Sequence, residues 1–358
     1  MHILILENNI NIDNLVLQIK KNKNVGLIFA SQDADCTLDE ITKIPFESDE
    51  VSEILDFALA NEIGFVFVLS SKALSTEIIE LLEMNSIQAF GSSQEQFEYF
   101  LSRTNTKKLI YKNKILTPKF SSFEKQNMAI DWCKTAPFPI EILSDYKDEI
   151  KLKFQVDTFL KAQNALDKLY DEGYSKVVLQ NSVDGKHFTS YFLTDSSSHI
   201  HLANLYKENG LIICPDFRIS SQLKDTIFYD YYLKILNSIN YDFKPFCGVL
   251  KLDFVLDGKN LYLNDVAASF KPSDFQIILE MLDVDVFDLF SSLSTGALED
   301  FEGCELLKNQ YIAAISAPYD AFRDENDNVK YLKINEKKMI KTAFSSTVNG
   351  ACGSINEI

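Results

Sequence analysis

The chain has 358 residues, 46% hydrophobic and 24% charged, ordinary for a globular protein of two or three domains. Its formal net charge of −17 argues against a nucleic-acid surface or an anionic membrane as partner, since both need clustered Lys and Arg. The six cysteines are scattered without a CxxC spacing, which implies reduced thiols and neither a zinc site nor a disulfide framework.

The opening MHILILENN has no basic segment followed by a long apolar run, so a signal peptide is not expected. No apolar stretch reaches the roughly 20 residues that span a bilayer, and a cytoplasmic protein is the expectation. HILIL (2–6) predicts a strand, DNLVLQIKK (13–21) a short helix and GLIFAS (26–31) a second strand. VSEILDFALANEI (51–63) has helical spacing and leads into GFVFVLS (64–70), a near-continuous buried strand. STEIIELLEMNSI (75–87) opens with a Ser/Thr cap and acidic residues, and QAFGS (88–92) follows it. Alternating strands and helices imply right-handed βαβ units, so residues 1–120 are expected to form a Rossmann-like parallel sheet.

Residues 95–115 read as one helix, followed by LTPKF and an extended linker. PFPIEIL (137–143) and IKLKF (150–154) read as a hairpin, and TFLKAQNALDKLYDEG (158–173) as a helix ended by Gly173. KVVLQNSVDG (176–185) and FTSYFLTD (188–195) read as a further hairpin, which makes 121–200 a small β–α lobe. His199 and His201 share one side of a strand and read as surface polar residues. A second lobe over 201–305 holds a helix near 222–239, a hairpin, and a helix from Ser273 onward. Residues 306–358 predict a shortened C-terminal β segment.

The most informative stretch is that hairpin, GVLKLDFVLDGKNLYLNDVAASF (248–270), in which two apolar runs flank a Gly-containing turn. Asp253 and Asp265 lie twelve residues apart with the turn near their midpoint. A three-residue loop would set them opposite each other, with Cβ atoms about 5 Å apart, and a one-residue shift would separate them. Facing carboxylates repel unless a cation lies between them, and Mg²⁺ with nucleotide phosphates is one such cation. The alternative is a pair of solvated strand-end aspartates.

The order of elements resembles the ATP-grasp superfamily, and within it the phosphoribosylamine–glycine ligase (glycinamide ribonucleotide synthetase) family. FGSS (90–93) is similar to the F-G-P-[TS] of that family, and Ser102, Arg103, Thr106 and Lys107 to its S-K-x-x-T-K helix. VVLQNSVDG is similar to its V-I-E-E-F-L-D-G strand, and NLYLNDVAASFKPSDFQ to its metal-binding E-F-N-x-R-F-G-D-P-E-x-Q. The resemblance implies a pre-ATP-grasp domain, two ATP-grasp lobes and a carboxylate–amine ligase acting through ATP and Mg²⁺. It places Asp253 and Asp265 at the metal and Lys107, Gln180 and Asn181 at the nucleotide. Asp274 and Gln276 fall toward the substrate side. Small-molecule partners would be ATP with glycine or a phosphoribosyl compound.

The departures from the pattern point the other way. Ala267 stands where Asn completes the metal shell, Ser269 where Arg binds the transferring phosphate, and Leu143 where the lobe strand carries Lys. SDYKDEIKL follows with no glycine, and its Asp145, Asp148 and Glu149 would repel a triphosphate. Glu7 replaces a glycine of the substrate loop, and the loop T-G-G-M-G-A has no counterpart. Three readings stay open: a degenerate ligase-like protein kept for binding or regulation, a working ligase of purine synthesis, and an unrelated α/β protein.

Overall fold

Short runs of β-branched and aromatic residues near the N-terminus suit strands buried on both faces. In the computed structural model, which describes residues 1–8, 10–145, 152–208, 211–214, 227–258, 260–302, 311–315 and 339–341, they form a parallel sheet. Its elements are β1 (His2–Leu6), α1 (Asp13–Ile19), β2 (Ile28–Ala30), β3 (Thr42–Lys43), α2 (Val51–Ala60), β4 (Ile63–Val68), α3 (Ser71–Leu74), α4 (Ile78–Met84) and β5 (Gln88–Phe90). The strand order is β3-β2-β1-β4-β5, as a Rossmann-like domain requires. Ile3, Ile5, Phe65 and Phe67 pack into one core, and the alternate residues Leu4, Leu6, Val66 and Val68 into another.

The helix expected over 95–115 is two helices, α5 (Gln94–Leu101) and α6 (Arg103–Lys112). Ser102 leaves the helical region at φ −84° and ψ 114°, and its hydroxyl accepts from the Asn105 amide to cap the second helix. Apolar spacing continues through the break, so periodicity alone cannot register it. The expected linker instead holds β6 (Phe120–Phe123) and α7 (Gln126–Cys133). With β7 (Ile140–Ser144), β8 (Lys153–Val156), α8 (Phe159–Asp171) and β9 (Val177–Asn181) they form a small lobe. Its antiparallel sheet is ordered β6-β9-β7-β8 and shares one core with α7 and α8.

The β7–β8 hairpin forms as expected, but the second small-lobe hairpin does not. Both edges of β9 are taken by β6 and β7, and β10 (Lys186–Asp195) belongs to a larger sheet. The last eight residues of β10 are buried, which only an interior strand covered on both faces allows.

That larger sheet adds β11 (His199–Glu208), β12 (Leu211–Cys214), β13 (Cys247–Leu256), β14 (Leu261–Ala267), β15 (Tyr311–Ile315) and β16 (Met339–Lys341). Its order is β14-β13-β10-β11-β12-β15-β16. The helices of this region are α9 (Ile227–Asp242), α10 (Pro272–Met281) and α11 (Val286–Thr295). The single helix expected from Ser273 is therefore split, with Asp285 capping α11 through the Asp288 amide. Most of the 306–358 segment lies outside the described residues.

Alternation along β10 ties the molecule together. Phe188 and Phe192 face a core shared with α6 and α9, and Tyr191 and Leu193 face one shared with α10, α11 and the parallel sheet. Phe290 of α11 stands 4.8 Å from Phe90 and 5.9 Å from Phe67, ring to ring, at the ends of β5 and β4. His199 and His201 are half-buried in β11 rather than surface residues. The His199 ring shares a proton with the Tyr229 hydroxyl at 2.6 Å, and the His201 ring lies 5.1 Å from Phe192.

Candidate functional site

The hairpin closes through a four-residue loop, 257–260, between the paired Leu256 and Leu261. Asp257 accepts from the Asn260 amide at 3.1 Å, and Gly258 takes the left-handed conformation at φ 68°. An even loop alone would put Asp253 opposite Asn264. A β-bulge between the Asp253 and Phe254 pairs absorbs one residue and restores Asp253 opposite Asp265. The two carboxylates therefore face each other, by a different route from the three-residue loop that the sequence suggests.

Each carboxylate has a cation of the chain beside it. Lys251 shares the β13 face with Asp253, and its amine lies 2.8 Å from the carboxylate, while Thr189 donates to Asp253 at 2.7 Å. Burial alone would raise the Asp253 pKa, but Lys251 overrides it and holds it below 3.8 despite Asp265. Burial would likewise lower Lys251, yet Asp253, with Asp265 and Asp274 behind it, keeps its amine above 10.5. Asp265 accepts from the Arg103 guanidinium at 3.0 Å and from Thr106 at 3.2 Å.

Lys107 is not on a solvated face; it is 1% exposed. Its amine donates to Thr117 at 3.1 Å and to Asn264 at 3.3 Å. Burial, partly offset by Asp265, pulls its pKa from 10.5 down to about 7. Gln180 donates from β9 to Asn264 at 2.8 Å and to Glu141 at 2.7 Å, and Glu141 pairs with Lys153 at 2.6 Å. The bulge residue Asn264 thus joins the small lobe to the hairpin. Asn181 is next along β9, so its side chain alternates to the other face. Its backbone is tied in, donating to the Lys119 carbonyl and pairing with Ile140 of β7.

The third junction is the N-terminal end of α6. The Asp145 carboxylate, just past β7, accepts from the Ser102 hydroxyl and the Arg103 amide, both at 2.8 Å, and from the Thr104 amide at 3.4 Å. Asp148 and Glu149 lie outside the described residues. Of the two residues expected toward the substrate, Asp274 is fully buried and accepts from the Tyr191 hydroxyl at 2.8 Å. Gln276 donates to the Asn11 carbonyl at 2.5 Å, fastening α10 to the loop after β1. Glu7, 1% exposed, accepts the Ile10 amide at 3.0 Å and closes that loop on itself. Next to it, Ile10, Leu69, Gly91, Ser92, Ser269 and Phe270 line a shallow cleft at the carboxyl ends of β4 and β5, where open α/β sheets bind ligands.

Sequence reasoning singled out Asp253, Asp265, Lys107 and Gln180, and these converge. Asp274 and Gln276 lie apart from them, bonded to the Tyr191 hydroxyl and the Asn11 carbonyl. It missed Lys251, Asn264 and Glu141 and gave Arg103 no role. Lys251 was open to the rule that residues two apart on a strand share a face, whereas nothing in the sequence marks the bulge at Asn264. Magnesium takes near-octahedral oxygen coordination, and cations already paired with a carboxylate compete with it for those oxygens. Among the described residues no group of three or more His, Cys, Asp or Glu could hold a metal ion, and Asp253 and Asp265 are engaged by Lys251 and Arg103. As placed, these residues do not fit a magnesium site.

No family sequence profile matches the chain. It is 23% identical over 273 residues to phosphoribosylamine–glycine ligase of Helicobacter pylori, covering 72% of this chain. It spans about 63% of the length of that relative. Among solved structures, the biotin carboxylase domain of Hydrogenobacter thermophilus 2-oxoglutarate carboxylase, in complex with ADP and magnesium, superposes with a TM-score of 0.67 at 14% identity. That match covers 87% of this chain and 73% of the other. Phosphoribosylamine–glycine ligase of Thermotoga maritima gives 0.64 at 15% identity, covering 87% and 78%. The chain has the ATP-grasp fold and resembles phosphoribosylamine–glycine ligases in sequence.

Proposed function

We propose that this ligase-like ATP-grasp chain is catalytically silent and is kept for binding or regulation, its phosphoryl-transfer cleft being closed by its own side chains. One observation carries the reading: both hairpin carboxylates are already neutralised, Asp253 by Lys251 and Asp265 by Arg103. Phosphoryl transfer needs metal and cations directed at the γ-phosphate. Here the cations serve the carboxylates, and Ala267 and Ser269 supply neither a metal ligand nor a charge. The expected ligand class remains ATP and related small molecules. Among the described residues no helix is long and apolar enough to cross a membrane.

Two measurements test this. ADP release with glycine, phosphoribosylamine, ATP and Mg²⁺ is expected to stay at background. ATP binding by calorimetry is expected to be weak and insensitive to Mg²⁺. Magnesium-dependent ATP binding in the micromolar range would overturn the reading.

A specific observation keeps the working-ligase reading in play: Asp253 and Asp265 do face each other, with the Lys107 amine nearby. In that reading the two aspartates hold Mg²⁺, Lys107 holds a phosphate, and Gln180 and Asn181 hold the nucleotide. Asp274 and Gln276 then shape the glycine or phosphoribosyl side. Turnover in the ADP-release assay decides for it.

A further inference from the structure

We propose that Asp145 and Arg103 form an internal latch that holds the small lobe against the hairpin, with the Asp145 carboxylate seated where a polyphosphate would bind. The inference rests on reading this cleft as a nucleotide-type site and concerns how that site is regulated.

The start of α6 exists because Ser102 breaks the helix between Leu101 and Arg103. An uninterrupted helix would spend the Arg103 and Thr104 amides on intrahelical bonds; the break frees them. Free amides and the aligned peptide dipoles make a helix N-terminus attractive to anions. Asp145 supplies the anion from the end of β7, accepting from Ser102, Arg103 and Thr104 at 2.8, 2.8 and 3.4 Å. At the same helix end the Thr104 hydroxyl, on a residue 5% exposed, is buried with no hydrogen-bond partner among the described residues.

Arg103 completes the junction. Its Nε donates to the Ser144 carbonyl at 3.0 Å, and its Nη1 donates to Asp265 at 3.0 Å. One guanidinium thus bonds both the last residue of β7 and the hairpin, with side-chain exposures of 13% for Arg103 and 14% for Asp265. Phosphate oxygens would use the same amides, the same hydroxyl and the same guanidinium that Asp145 and Asp265 now use. A polyphosphate and the latched state exclude each other, so a polyanion binds only when the latch opens.

The test uses the full chain as wild type, Asp145→Ala and Arg103→Lys, with Asp157→Ala as the control for lost negative charge on the same lobe. Inorganic triphosphate without metal is titrated by calorimetry, and hydrogen exchange is followed at the α6 and β7 amides. Asp145→Ala is expected to bind triphosphate at least about tenfold tighter than wild type, about 1.4 kcal/mol, with Asp157→Ala unchanged. Its Arg103 and Thr104 amides are expected to exchange faster while β1 and β4 do not change. Arg103→Lys keeps a charge near Asp265 but cannot bond Ser144 and Asp265 together. It is expected to speed exchange in β7, and it supplies the test if Asp145→Ala does not fold. Unaltered affinity in Asp145→Ala, or equal tightening in Asp157→Ala, overturns the latch and leaves the silent-ligase reading standing. Turnover by wild type overturns that reading and leaves the latch untouched.

Discussion

Lys251→Met tests whether the facing aspartates depend on the chain's own cations. The substitution keeps the apolar stem and removes a charge 2.8 Å from Asp253, leaving Asp253 opposite Asp265 across the ladder. Breaking a fully buried pair costs about 3–5 kcal/mol and an exposed one about 0.2–1. With side-chain exposures of 17% for Lys251 and 30% for Asp253, the expected loss lies between these limits, about 1.5–3 kcal/mol. Asp253→Asn should cost less, because it also removes the like charge facing Asp265. In the double substitution the losses should fall short of additivity by about 1 kcal/mol.

The pH dependence has a defined sign. Asp253 is depressed on folding, so its contribution is present above 3.8 and disappears as pH falls through the lower folded value. Lys251 is raised, so its contribution is complete below 10.5 and disappears as pH rises through the higher folded value. The gap between wild type and Lys251→Met should therefore be widest and flat between these limits. Urea unfolding with an unchanged m-value reads it out. Additive losses within about 0.3 kcal/mol, or a neutral Lys251→Met at pH 7, would mean that Lys251 does not hold the Asp253 carboxylate. Rescue of Lys251→Met by magnesium would show that the carboxylates can hold the ion after all.

Lys107 titrates at about 7 in the fold and at 10.5 unfolded, so the unfolded chain holds more protons between those values. Wild type should gain stability from pH 7 toward 10, by at most about 1.4 kcal/mol per pH unit, and Lys107→Met should lack that slope in urea unfolding. His201 is lowered by burial from 6.5 to about 4. Wild type should lose stability as pH falls through that window, and a His201→Gln curve of the same steepness would refute this. A Cβ at Gly91 would stand 2.8 Å from Ile79 and 3.0 Å from Leu74, so Gly91→Ala should destabilise by about 1–3 kcal/mol in thermal unfolding. Gly258→Ala meets no atom within 4 Å and should cost only the left-handed backbone, about 1–2 kcal/mol.

The parallel sheet was legible because Ile3–Leu6 and Phe65–Val68 are short continuous apolar runs, and such runs fold as strands covered on both faces. Spacing around a turn pointed to Asp253 and Asp265 facing each other, but the three-residue loop it assumed is not the one formed; the bulge at Asn264 produces the pairing. What escaped the sequence is local in one case and topological in the other. Ser102 ends a helix with one residue, and Asn264 shifts a register with one residue, so neither disturbs hydrophobic periodicity. Residues 186–195 left the small lobe because β9 has no free edge, a fact about pairing partners far away in the chain.

Both functional readings reduce to one competition at the hairpin. Two carboxylates held opposite each other by a bulge need positive charge, whatever its source. Lys251 and Arg103 supply it at fixed positions, and they arrive with the fold rather than with a ligand. Magnesium entering between Asp253 and Asp265 would compete with two ion pairs, and freeing Arg103 would also give up its bond to the Ser144 carbonyl. A ligase that binds magnesium together with nucleotide needs those carboxylates free at low cost, and this arrangement makes freeing them costly. The two ion pairs, with Ala267 and Ser269 offering neither a metal ligand nor a charge, are what favours the proposed silent reading over the working ligase.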